Sequence, residues 1–458
     1  MSRFDAERPN ILFIHAESMD GRKMGCMGHA ASVTPNLDAV AERGVLFTNA
    51  YSPCPVCNPS RASMWSGKWP HVNENWNNHN GLREGVPTFR DTFDHAGYLT
   101  GAIGPLDYQW GMHSIRDQVG SWTRTADIQR PSCRTPLPRI DNDDPWGADR
   151  RRIQQAIDFM RDAATDGRPF MLYLTTGLVH PPFVVEQRYL DMIDPDLIEI
   201  PPGLGPLEAT EHPVIRSMRV TKNCVNEFPE WLVRQMRRMY FAMITTLDDM
   251  LGRLFKALED LGLRENTYVI FSSDHGEMAG EHNQVLKRNM YEPSIHVPLI
   301  IAGPNVRAGA RVDAPVSLVD LYPTLMDMAR LDYADYAHHP GYPETLDGES
   351  LMPQLTGEAA RERDWTFAEY HGDRCNTGVF MLRRGRWKYV KYMYSEPQLF
   401  DLESDPWEIE NLASARPEVV AELDGLLEAH FDCAAIDAAA RAYDRASFLR
   451  WREQARAE

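Results

Sequence analysis

The sequence has no long apolar run. No stretch of its 458 residues approaches the roughly 20 apolar residues that a membrane-spanning helix needs. The N-terminal segment is charged and leads directly into the short run ILFI, without the longer apolar stretch and small-residue cleavage site of a secretory signal. We therefore expect a cytoplasmic protein that does not act at a membrane.

The sequence also contains few cysteines, and fewer basic than acidic residues. The seven cysteines are scattered and odd in number, which argues against a disulfide framework and is typical of a reducing compartment. The chain has 48 Lys and Arg residues and 66 Asp and Glu residues, so that its net charge is -18. This balance excludes a general affinity for nucleic acid. If the substrate is an anion, a local cluster of a metal ion, arginine or lysine must attract it.

Internal repeats and low-complexity tracts are absent as well, and 43% of the residues are hydrophobic. This content and the chain length are ample for a large buried core and allow two or three domains. The composition is that of an ordinary globular protein.

Short apolar runs alternate with amphipathic stretches along most of the chain. The apolar runs predict buried strands at residues 10–15, 45–47, 170–174, 268–271 and 297–301. The amphipathic stretches predict helices at residues 35–42, 149–164 and 230–261. This alternation predicts an α/β fold with a mostly parallel central sheet flanked by helices.

Polar side chains follow three of these strands at the point where each strand ends. Glu17 follows the first strand, His180 follows the FMLYL strand, and Asp274 follows the YVIF strand. Open α/β sheets bind their ligands at the carboxyl ends of the strands. We therefore expect these three side chains to share one site.

The pattern changes near the C-terminus. The segment VFMLRRGRWKYVKY alternates like an antiparallel strand pair, and two helical stretches close the chain. We therefore predict a catalytic domain at residues 1–375 and a smaller α+β subdomain at residues 376–458, with a small antiparallel sheet and terminal helices. Residues 437–458 predict a packed helix. The Pro-rich connections 130–148 and 197–222 predict long loops over the site.

Cys57 begins the most informative motif, CNPSR at residues 57–61. With Cys54 it forms a Cys-x-x-Cys pair, which alone would suggest a redox pair or half of a zinc site, and a lone buried cysteine is more often inert. No second Cys-x-x-Cys exists. The longer stretch CNPSRASMWSG resembles the signature of the sulfatase family.

The resemblance to sulfatases covers nearly the whole chain. Further segments typical of the family are residues 34–51, 97–104, 273–276, 316–324 and 399–406. The chain is most similar to the arylsulfatase K group, which acts on sulfated uronic acid units of glycosaminoglycans. Matches specific to that group are MWSG at 64–67, WNN at 76–78, LDY at 106–108, HSI at 113–115, TKNC at 221–224 and FLRW at 448–451. The resemblance implies that the α/β fold is alkaline-phosphatase-like.

In sulfatases the cysteine of this motif is oxidised to formylglycine, whose hydrate is the nucleophile. The resemblance implies that Cys57 is modified in this way. A formylglycine-generating enzyme is then a partner of the chain during maturation.

The resemblance also implies a divalent cation that is bound by Glu17, Ser18, Cys57, Asp274 and His275. A cation supplies the fixed positive charge that displacement at sulfur requires. Oxygen ligands favour Ca²⁺ or the alternative Mg²⁺, and the nitrogen of His275 leaves Mn²⁺ open. The family usually has two aspartates where this chain has Glu17 and Ser18, so that its site carries less negative charge.

Three further residues are catalytic by resemblance. Arg61 holds the nucleophile and the metal ligands, and His180 and Lys287 contact the sulfate and help to protonate the leaving oxygen. Histidine is the natural proton donor near neutral pH, and lysine is a point charge on the anion. A helix that begins at Pro59 would add the positive end of its dipole near the nucleophile.

Pro105 is the main departure from the family pattern, in which a lysine contacts both formylglycine and sulfate. The histidine that often follows two positions later is Asp107 here. We expect His113 to be the base that takes the proton of the nucleophile. Lys222 is the candidate to replace the lost charge, and Asn78 and Lys222 are the candidates for substrate binding.

The residues leave more than one function open. The leading function is hydrolysis of a sulfate monoester, with a small anionic substrate such as a sulfated sugar or uronic acid. The alternative is a phosphonate monoester or phosphodiester hydrolase, since such enzymes share this fold. A non-catalytic protein that binds sulfated ligands has only Pro105 in its favour. The sequence is also compatible with a homo-oligomer.

Overall fold

The computed structural model describes residues 8–109, 115–124, 137–206, 208, 211–337, 345–358, 363–372 and 374–457. Its strands are β1 (Asn10–Ala16), β2 (Gly44–Phe47), β3 (Ala50–Tyr51), β4 (Leu99–Ile103), β5 (Arg139–Ile140), β6 (Phe170–Thr175), β7 (Val184–Val185), β8 (Thr267–Ser273), β9 (His296–Val297), β10 (Leu299–Ala302), β11 (Ala310–Val312), β12 (Val316–Ser317), β13 (Trp365–Tyr370), β14 (Val379–Arg384), β15 (Trp387–Tyr392) and β16 (Ser395–Asp401).

The helices are α1 (Pro35–Glu42), α2 (Cys57–Ser66), α3 (Pro70–Asn73), α4 (Phe89–His95), α5 (Ile115–Trp122), α6 (Gly147–Asp166), α7 (Gln187–Leu190), α8 (Pro213–Thr221), α9 (Glu230–Asp260), α10 (Glu292–Ile295), α11 (Leu321–Met328), α12 (Ala334–Ala337), α13 (Met352–Thr356), α14 (Pro417–His430) and α15 (Cys433–Ala457). In the described ranges, none of these helices combines the length and apolar character that crossing a membrane requires.

The central sheet has seven strands in the order β11-β2-β10-β8-β1-β6-β4. Strand β10 runs antiparallel to β2 and β8, and the other four neighbouring pairs are parallel. The prediction of a mostly parallel central sheet is confirmed.

Both faces of this sheet are covered by helices. In β1, Leu12 and Ile14 point to the face that packs against α6 and α9, whereas Ile11 and Phe13 point to the face under α2, α4 and α11. Successive side chains of a strand alternate between the two faces, so a strand that is buried on both sides must be apolar throughout. This explains why the predicted strands are continuous apolar runs.

Strands β8, β1 and β6 are neighbours and run parallel, so that their carboxyl ends meet at one edge of the sheet. The polar side chains that follow these strands are thereby brought together, as the sequence predicts. This edge is where the candidate site lies.

A four-stranded antiparallel sheet, in the order β13-β14-β15-β16, lies in the C-terminal part of the chain together with α14 and α15. The predicted C-terminal α+β unit and its terminal helix are confirmed. The first strand of this sheet precedes residue 376, and the division of the chain into units of 1–375 and 376–458 stays a prediction.

One predicted loop is wrong in part. Residues 197–222 are not irregular throughout, since they contain α8. Val214, Ile215 and Met218 of this helix are buried, at an i, i+1 and i+4 spacing that forms one apolar face. The high proline content of the segment concealed this short amphipathic helix.

Candidate active site

Cys57 is the first residue of α2 and lies at the carboxyl edge of the central sheet. The helix begins two residues earlier than the predicted start at Pro59, so the nucleophile candidate lies in its first turn. The thiol Sγ is 3.1 Å from Nε2 of His275 and 3.8 Å from Oε1 of Glu17. Every residue of α2 is buried. The positive end of the helix dipole is therefore directed into a site that contains a carboxylate and an imidazole.

Arg61 joins the nucleophile helix to the sheet edge. Its Nε donates to Oδ2 of Asp274 at 3.0 Å, and its Nη1 donates to the carbonyl oxygen of Pro105 at 2.9 Å. Arg61 Nη2 also lies 3.8 Å from Oε2 of Glu17. Burial alone would raise the pKa of Asp274, but the adjacent His275 ring and the Arg61 guanidinium lower it well below its usual range. The buried Asp274 is therefore an ionised carboxylate with a fixed cationic partner.

Three ligand atoms lie close enough together to hold a cation. Sγ of Cys57, a carboxylate oxygen of Asp274 and a ring nitrogen of His275 are within 4.8 Å of one another, and all three residues are buried. Nδ1 of His275 is 2.9 Å from the carbonyl oxygen of Gly276, so that Nδ1 carries the proton and the Nε2 lone pair faces the cluster. This is the tautomer that a metal-binding histidine needs.

The two residues that follow β1 complete the candidate cation site. The amide nitrogen of Ser18 donates to Oδ1 of Asp274 at 3.1 Å, and its buried Oγ has no hydrogen-bond partner among the described residues. Burial raises the pKa of Glu17 to about 7. An orphaned hydroxyl oxygen, two carboxylates and one imidazole are a donor set that fits a divalent cation with mainly oxygen ligands.

His180 and Lys287 face each other beside the nucleophile. Nζ of Lys287 is 2.8 Å from Nε2 of His180, while Nδ1 of His180 is 2.6 Å from the carbonyl oxygen of Pro181. The carbonyl can only accept, so Nδ1 carries the imidazole proton and Nε2 accepts from the ammonium. Burial and the charge of Lys287 lower the pKa of His180 to about 3. In the free protein the His180 ring is therefore neutral, with its Nε2 lone pair towards Lys287.

The backbone conformation of Gly104 determines the position of Pro105. Gly104 has a φ of 102°, and a Cβ at this position would lie 2.2 Å from the carbonyl oxygen of Thr175. Only glycine allows this close approach, which turns the Pro105 carbonyl towards Arg61. Position 105 thus contributes an acceptor to the site and no cation.

The remaining predicted residues lie in different surroundings. Oδ1 of Asn78 accepts a hydrogen bond of 2.8 Å from the backbone nitrogen of Asn58. Nζ of Lys222 donates to Oε1 of Gln284 at 3.0 Å. His113 lies outside the described residues. The roles predicted for Asn78, Lys222 and His113 stay predictions.

Several polar residues of this edge were not predicted from the sequence. Oγ1 of Thr175 lies 3.4 Å from Nη1 of Arg61. His15 is fully buried in β1, and neither ring nitrogen has a hydrogen-bond partner in the described part of the chain. A polar residue near the end of an otherwise apolar strand was the available signal for both. Gln284, three residues before Lys287, had no such signal.

Comparisons with known proteins identify the family of the chain. Residues 9–331 match the Sulfatase family, and residues 280–431 match the family of the C-terminal part of N-sulphoglucosamine sulphohydrolase. Arylsulfatase K of Bos taurus is 36% identical over 475 residues, which cover 98% of this chain and 86% of the relative. Arylsulfatase K of Homo sapiens is 36% identical over 477 residues, which cover 98% and 87%.

Solved structures share the fold. The phosphonate monoester hydrolase of Agrobacterium radiobacter is 26% identical with a TM-score of 0.72, covering 93% of this chain and 96% of that one. A 2-O GAG sulfatase is 24% identical with a TM-score of 0.73, covering 93% and 92%. The predicted resemblance to the arylsulfatase K group is confirmed. The chain belongs to the sulfatase family and is a sulfuric ester hydrolase.

Proposed function

We propose that this chain hydrolyses a sulfate monoester of a sugar or uronic acid through a formylglycine residue formed from Cys57, with the help of a divalent cation. The observation that carries the proposal is the position of Cys57, whose Sγ lies between His275 and Glu17 at the first turn of a buried helix. Sγ marks the place that the oxygen atoms of the hydrated aldehyde would take.

Glu17, Ser18, Asp274 and His275 would hold the cation, together with the modified Cys57. When bound, the cation supplies positive charge to the sulfate oxygens and makes the neighbouring hydroxyl more acidic. We propose Ca²⁺ because most of these donors are oxygen atoms, with Mg²⁺ and Mn²⁺ as alternatives.

Arg61 and Ser60 fix the nucleophile relative to these ligands. Oγ of Ser60 donates to the carbonyl oxygen of Asp274 at 2.7 Å, and Nε of Arg61 donates to its carboxylate. Two side chains of α2 are thereby bound to the same ligand residue. This leaves the nucleophile little freedom to move away from the cation, which favours an attack geometry that is set before the substrate arrives.

Lys287 and His180 provide the contact to the substrate. A sulfate ester bound here would accept hydrogen bonds from the Lys287 ammonium in place of the present bond to His180. The Lys287 proton is then available to the leaving oxygen, and Nδ1 of His180 remains held by the Pro181 carbonyl. His113 is the proposed base for the second half of the reaction.

Protein produced together with a formylglycine-generating enzyme tests this proposal. We expect mass spectrometry to show formylglycine at position 57 and turnover of 4-nitrophenyl sulfate in proportion to that conversion. Chelation with EDTA should abolish turnover, and Ca²⁺ should restore it better than Mg²⁺ or Mn²⁺. Cys57→Ala should be inactive, whereas the control Cys26→Ser, at a partly buried thiol outside the site, should keep its activity.

Two outcomes would contradict parts of the proposal. Full activity with an unmodified thiol at position 57 would overturn the formylglycine nucleophile. Faster turnover of an aryl phosphonate monoester or a phosphodiester than of the aryl sulfate would favour the alternative function. The absence of a cation at position 105, where the sulfatase pattern has a lysine that contacts the sulfate, is the observation that leaves room for that alternative.

A further inference from the structure

The turn that follows β1 carries two of the candidate cation ligands, Glu17 and Ser18. Ser18 has a φ of 62°, in the left-handed region that a residue with a Cβ adopts only at a cost. Ser18, Met19 and Asp20 are fully buried, so that water does not reach their backbone N–H and C=O groups. Contacts with the rest of the protein must therefore hold this turn in its conformation.

The end of β8 binds two N–H groups of this turn. The backbone nitrogen of Ser18 donates to Oδ1 of Asp274 at 3.1 Å, and that of Met19 donates to Oγ of Ser273 at 2.9 Å. Since Asp274 is itself a candidate ligand, these bonds connect the two parts of the cation site. They do not involve the carbonyl group of Ser18 or the N–H group of Asp20, which lie on either side of Met19.

Tyr240 of α9 binds both of these groups with its hydroxyl. Oη of Tyr240 donates to the carbonyl oxygen of Ser18 at 2.7 Å and accepts from the backbone nitrogen of Asp20 at 2.9 Å. The carbonyl can only accept and the N–H group can only donate, so the direction of the hydroxyl proton is fixed. One side chain thereby holds the backbone directly after the strained Ser18.

The position of Tyr240 is fixed by the core of the protein. Only 1% of Tyr240 is exposed, and its ring meets that of Phe183 edge-on, with 6.1 Å between the ring centroids. Met236 and Ile244, one turn before and one turn after it on α9, are fully buried in the same apolar cluster. Side chains in such a close-packed interior have little freedom to move. The Tyr240 hydroxyl is therefore a fixed point against which the irregular turn is held.

We propose that Tyr240 is a positioning residue of the cation site, which keeps Ser18 in the left-handed conformation that leaves its Oγ free to bind the cation. Oγ of Ser18 has no hydrogen-bond partner among the described residues, as such a ligand requires. A neutral hydroxyl attracts a cation less than the carboxylate of the usual aspartate, so its position matters more. This inference rests on the cation in the proposed function. Residues that orient metal ligands typically contribute about 10- to 100-fold to metal affinity.

The test is the affinity of Tyr240→Phe for Ca²⁺. Phenylalanine keeps the buried ring but lacks the hydroxyl, so the Ser18 carbonyl and the Asp20 N–H group lose their partner and the turn can relax. We expect the Kd of Ca²⁺ to rise about 10- to 100-fold, as measured by isothermal titration calorimetry on metal-free proteins of equal formylglycine content. An equal Kd in the wild type and Tyr240→Phe would overturn this inference alone. Failure of the wild type to bind Ca²⁺, Mg²⁺ or Mn²⁺ would overturn the cation of the proposed function as well.

Tyr189→Phe is the matched control. Tyr189 is also a buried tyrosine, and its hydroxyl donates to Oδ2 of Asp249 on α9 at 2.7 Å, away from the cation site. The control therefore loses a comparable hydrogen bond to the same helix, and its Kd for Ca²⁺ should equal that of the wild type. A similar rise of the Kd in both variants would show a general loosening of α9 and would overturn the proposal.

A double-mutant cycle with Ser18→Ala identifies the ligand through which Tyr240 acts. In the Ser18→Ala background the hydroxyl that Tyr240 positions is already absent, so the added Tyr240→Phe change should alter the Kd of Ca²⁺ by less than about threefold. An equally large effect of Tyr240→Phe with and without the serine hydroxyl would show that the tyrosine acts through another ligand. That result would overturn the assignment to Ser18.

Turnover provides a further readout. At a Ca²⁺ concentration near the wild-type Kd, Tyr240→Phe should hydrolyse 4-nitrophenyl sulfate several-fold more slowly than the wild type, because less of the variant contains the cation. Saturating Ca²⁺ should restore most of its kcat. A loss of kcat that Ca²⁺ does not restore would place the effect of Tyr240 on the nucleophile or the substrate, and would contradict its role in cation binding.

Discussion

Asn78 provides an interaction that the nucleophile helix lacks in its own sequence. The first backbone N–H groups of a helix have no partner within it, and a polar residue before the helix normally accepts from one of them. Here that residue is Val56, which makes no side-chain hydrogen bond to the helix. Oδ1 of Asn78 accepts from the backbone nitrogen of Asn58, and Nδ2 of Asn75 donates to Oδ1 of Asn58 at 2.6 Å. A distant loop thus fixes the residue next to Cys57.

Removal of this cap should reduce the rate more than it reduces substrate affinity. In Asn78→Ala we expect kcat for 4-nitrophenyl sulfate to fall about five- to tenfold, since a lost cap is worth about 1 kcal/mol, while KM changes less than twofold. Asn78→Asp keeps the accepting oxygen and should recover most of the rate. The measurement requires equal formylglycine content in all samples, which mass spectrometry establishes.

The aspartate variant separates this role from direct substrate binding. If the amide nitrogen of Asn78 donated to the sulfate, Asn78→Asp would lose that donor and add a negative charge against an anion. It would then be less active than Asn78→Ala. That order of activities would contradict the capping role.

At the scale of elements, regular structure was predictable and irregular structure was not. Strands β1, β6 and β8 are apolar because helices cover both faces of the sheet, and the stripe of α9 follows the helical period, so both signals are visible in the sequence. The positions of Glu17 and Asp274 followed from the rule that ligand sites lie at the carboxyl ends of parallel strands.

The segment that carries Lys287 shows why the rest of the candidate site could not be predicted from the sequence. Between residues 279 and 288, five non-glycine residues have positive φ values, from 42° to 90°: Ala279, His282, Asn283, Leu286 and Arg288. Such conformations have no periodic pattern and are held by tertiary contacts, such as the bond from the Leu286 nitrogen to the Glu277 carboxylate. The partnership of Gln284 with Lys222 depends on this backbone. It was therefore visible only in three dimensions.

Asp248 of α9 caps a neighbouring helix and gives a test of stability against pH. Its carboxylate accepts from the backbone nitrogens of Asn36 and Leu37 in the first turn of α1, at 3.1 and 2.8 Å. Burial nevertheless raises the pKa of Asp248 from 3.8 to about 6. Because the folded-state pKa is the higher one, the native state holds this proton more tightly. The resulting stabilisation is complete below about pH 4 and is lost as the pH rises through about 6.

Asp248→Asn lacks this titration. We expect the melting temperature of the wild type, relative to the variant, to fall by about 2–3 °C between pH 4 and pH 7, as measured by calorimetry. The control Asp260→Asn, at the exposed end of α9, should follow the wild type at every pH. A constant difference between wild type and Asp248→Asn over this range would show that burial does not shift the titration.

At the scale of the whole molecule, a buried ionic cluster joins the C-terminal sheet to the catalytic site. Lys388 of β15 is fully buried, and its Nζ forms ion pairs with Glu408 and, at 3.0 Å, with Glu292 of α10. Two residues further along α10, the Ser294 carbonyl accepts at 2.9 Å from the nitrogen of Gly276, which follows the candidate ligand His275. The C-terminal sheet therefore supports the turn that carries this ligand.

Breaking this cluster should be much more harmful than neutralising it. Lys388→Met leaves two buried carboxylates without their cation, which costs about 3–5 kcal/mol and should lower the melting temperature by about 3–5 °C in a chain of this size. The double variant Lys388→Met, Glu408→Gln removes one charge of each sign and should recover most of that loss, because Glu292 keeps the nearby charge of Arg383. Lys391→Met is the matched control on the same strand. Its pairs with Asp424 and Glu428 are more exposed, so its loss should stay below about 1 kcal/mol.

Since the cluster supports the turn after His275, aryl sulfate turnover should fall and recover together with the melting temperature. A double variant as unstable as Lys388→Met would show that specific hydrogen bonds, and not charge balance, hold the C-terminal sheet in place.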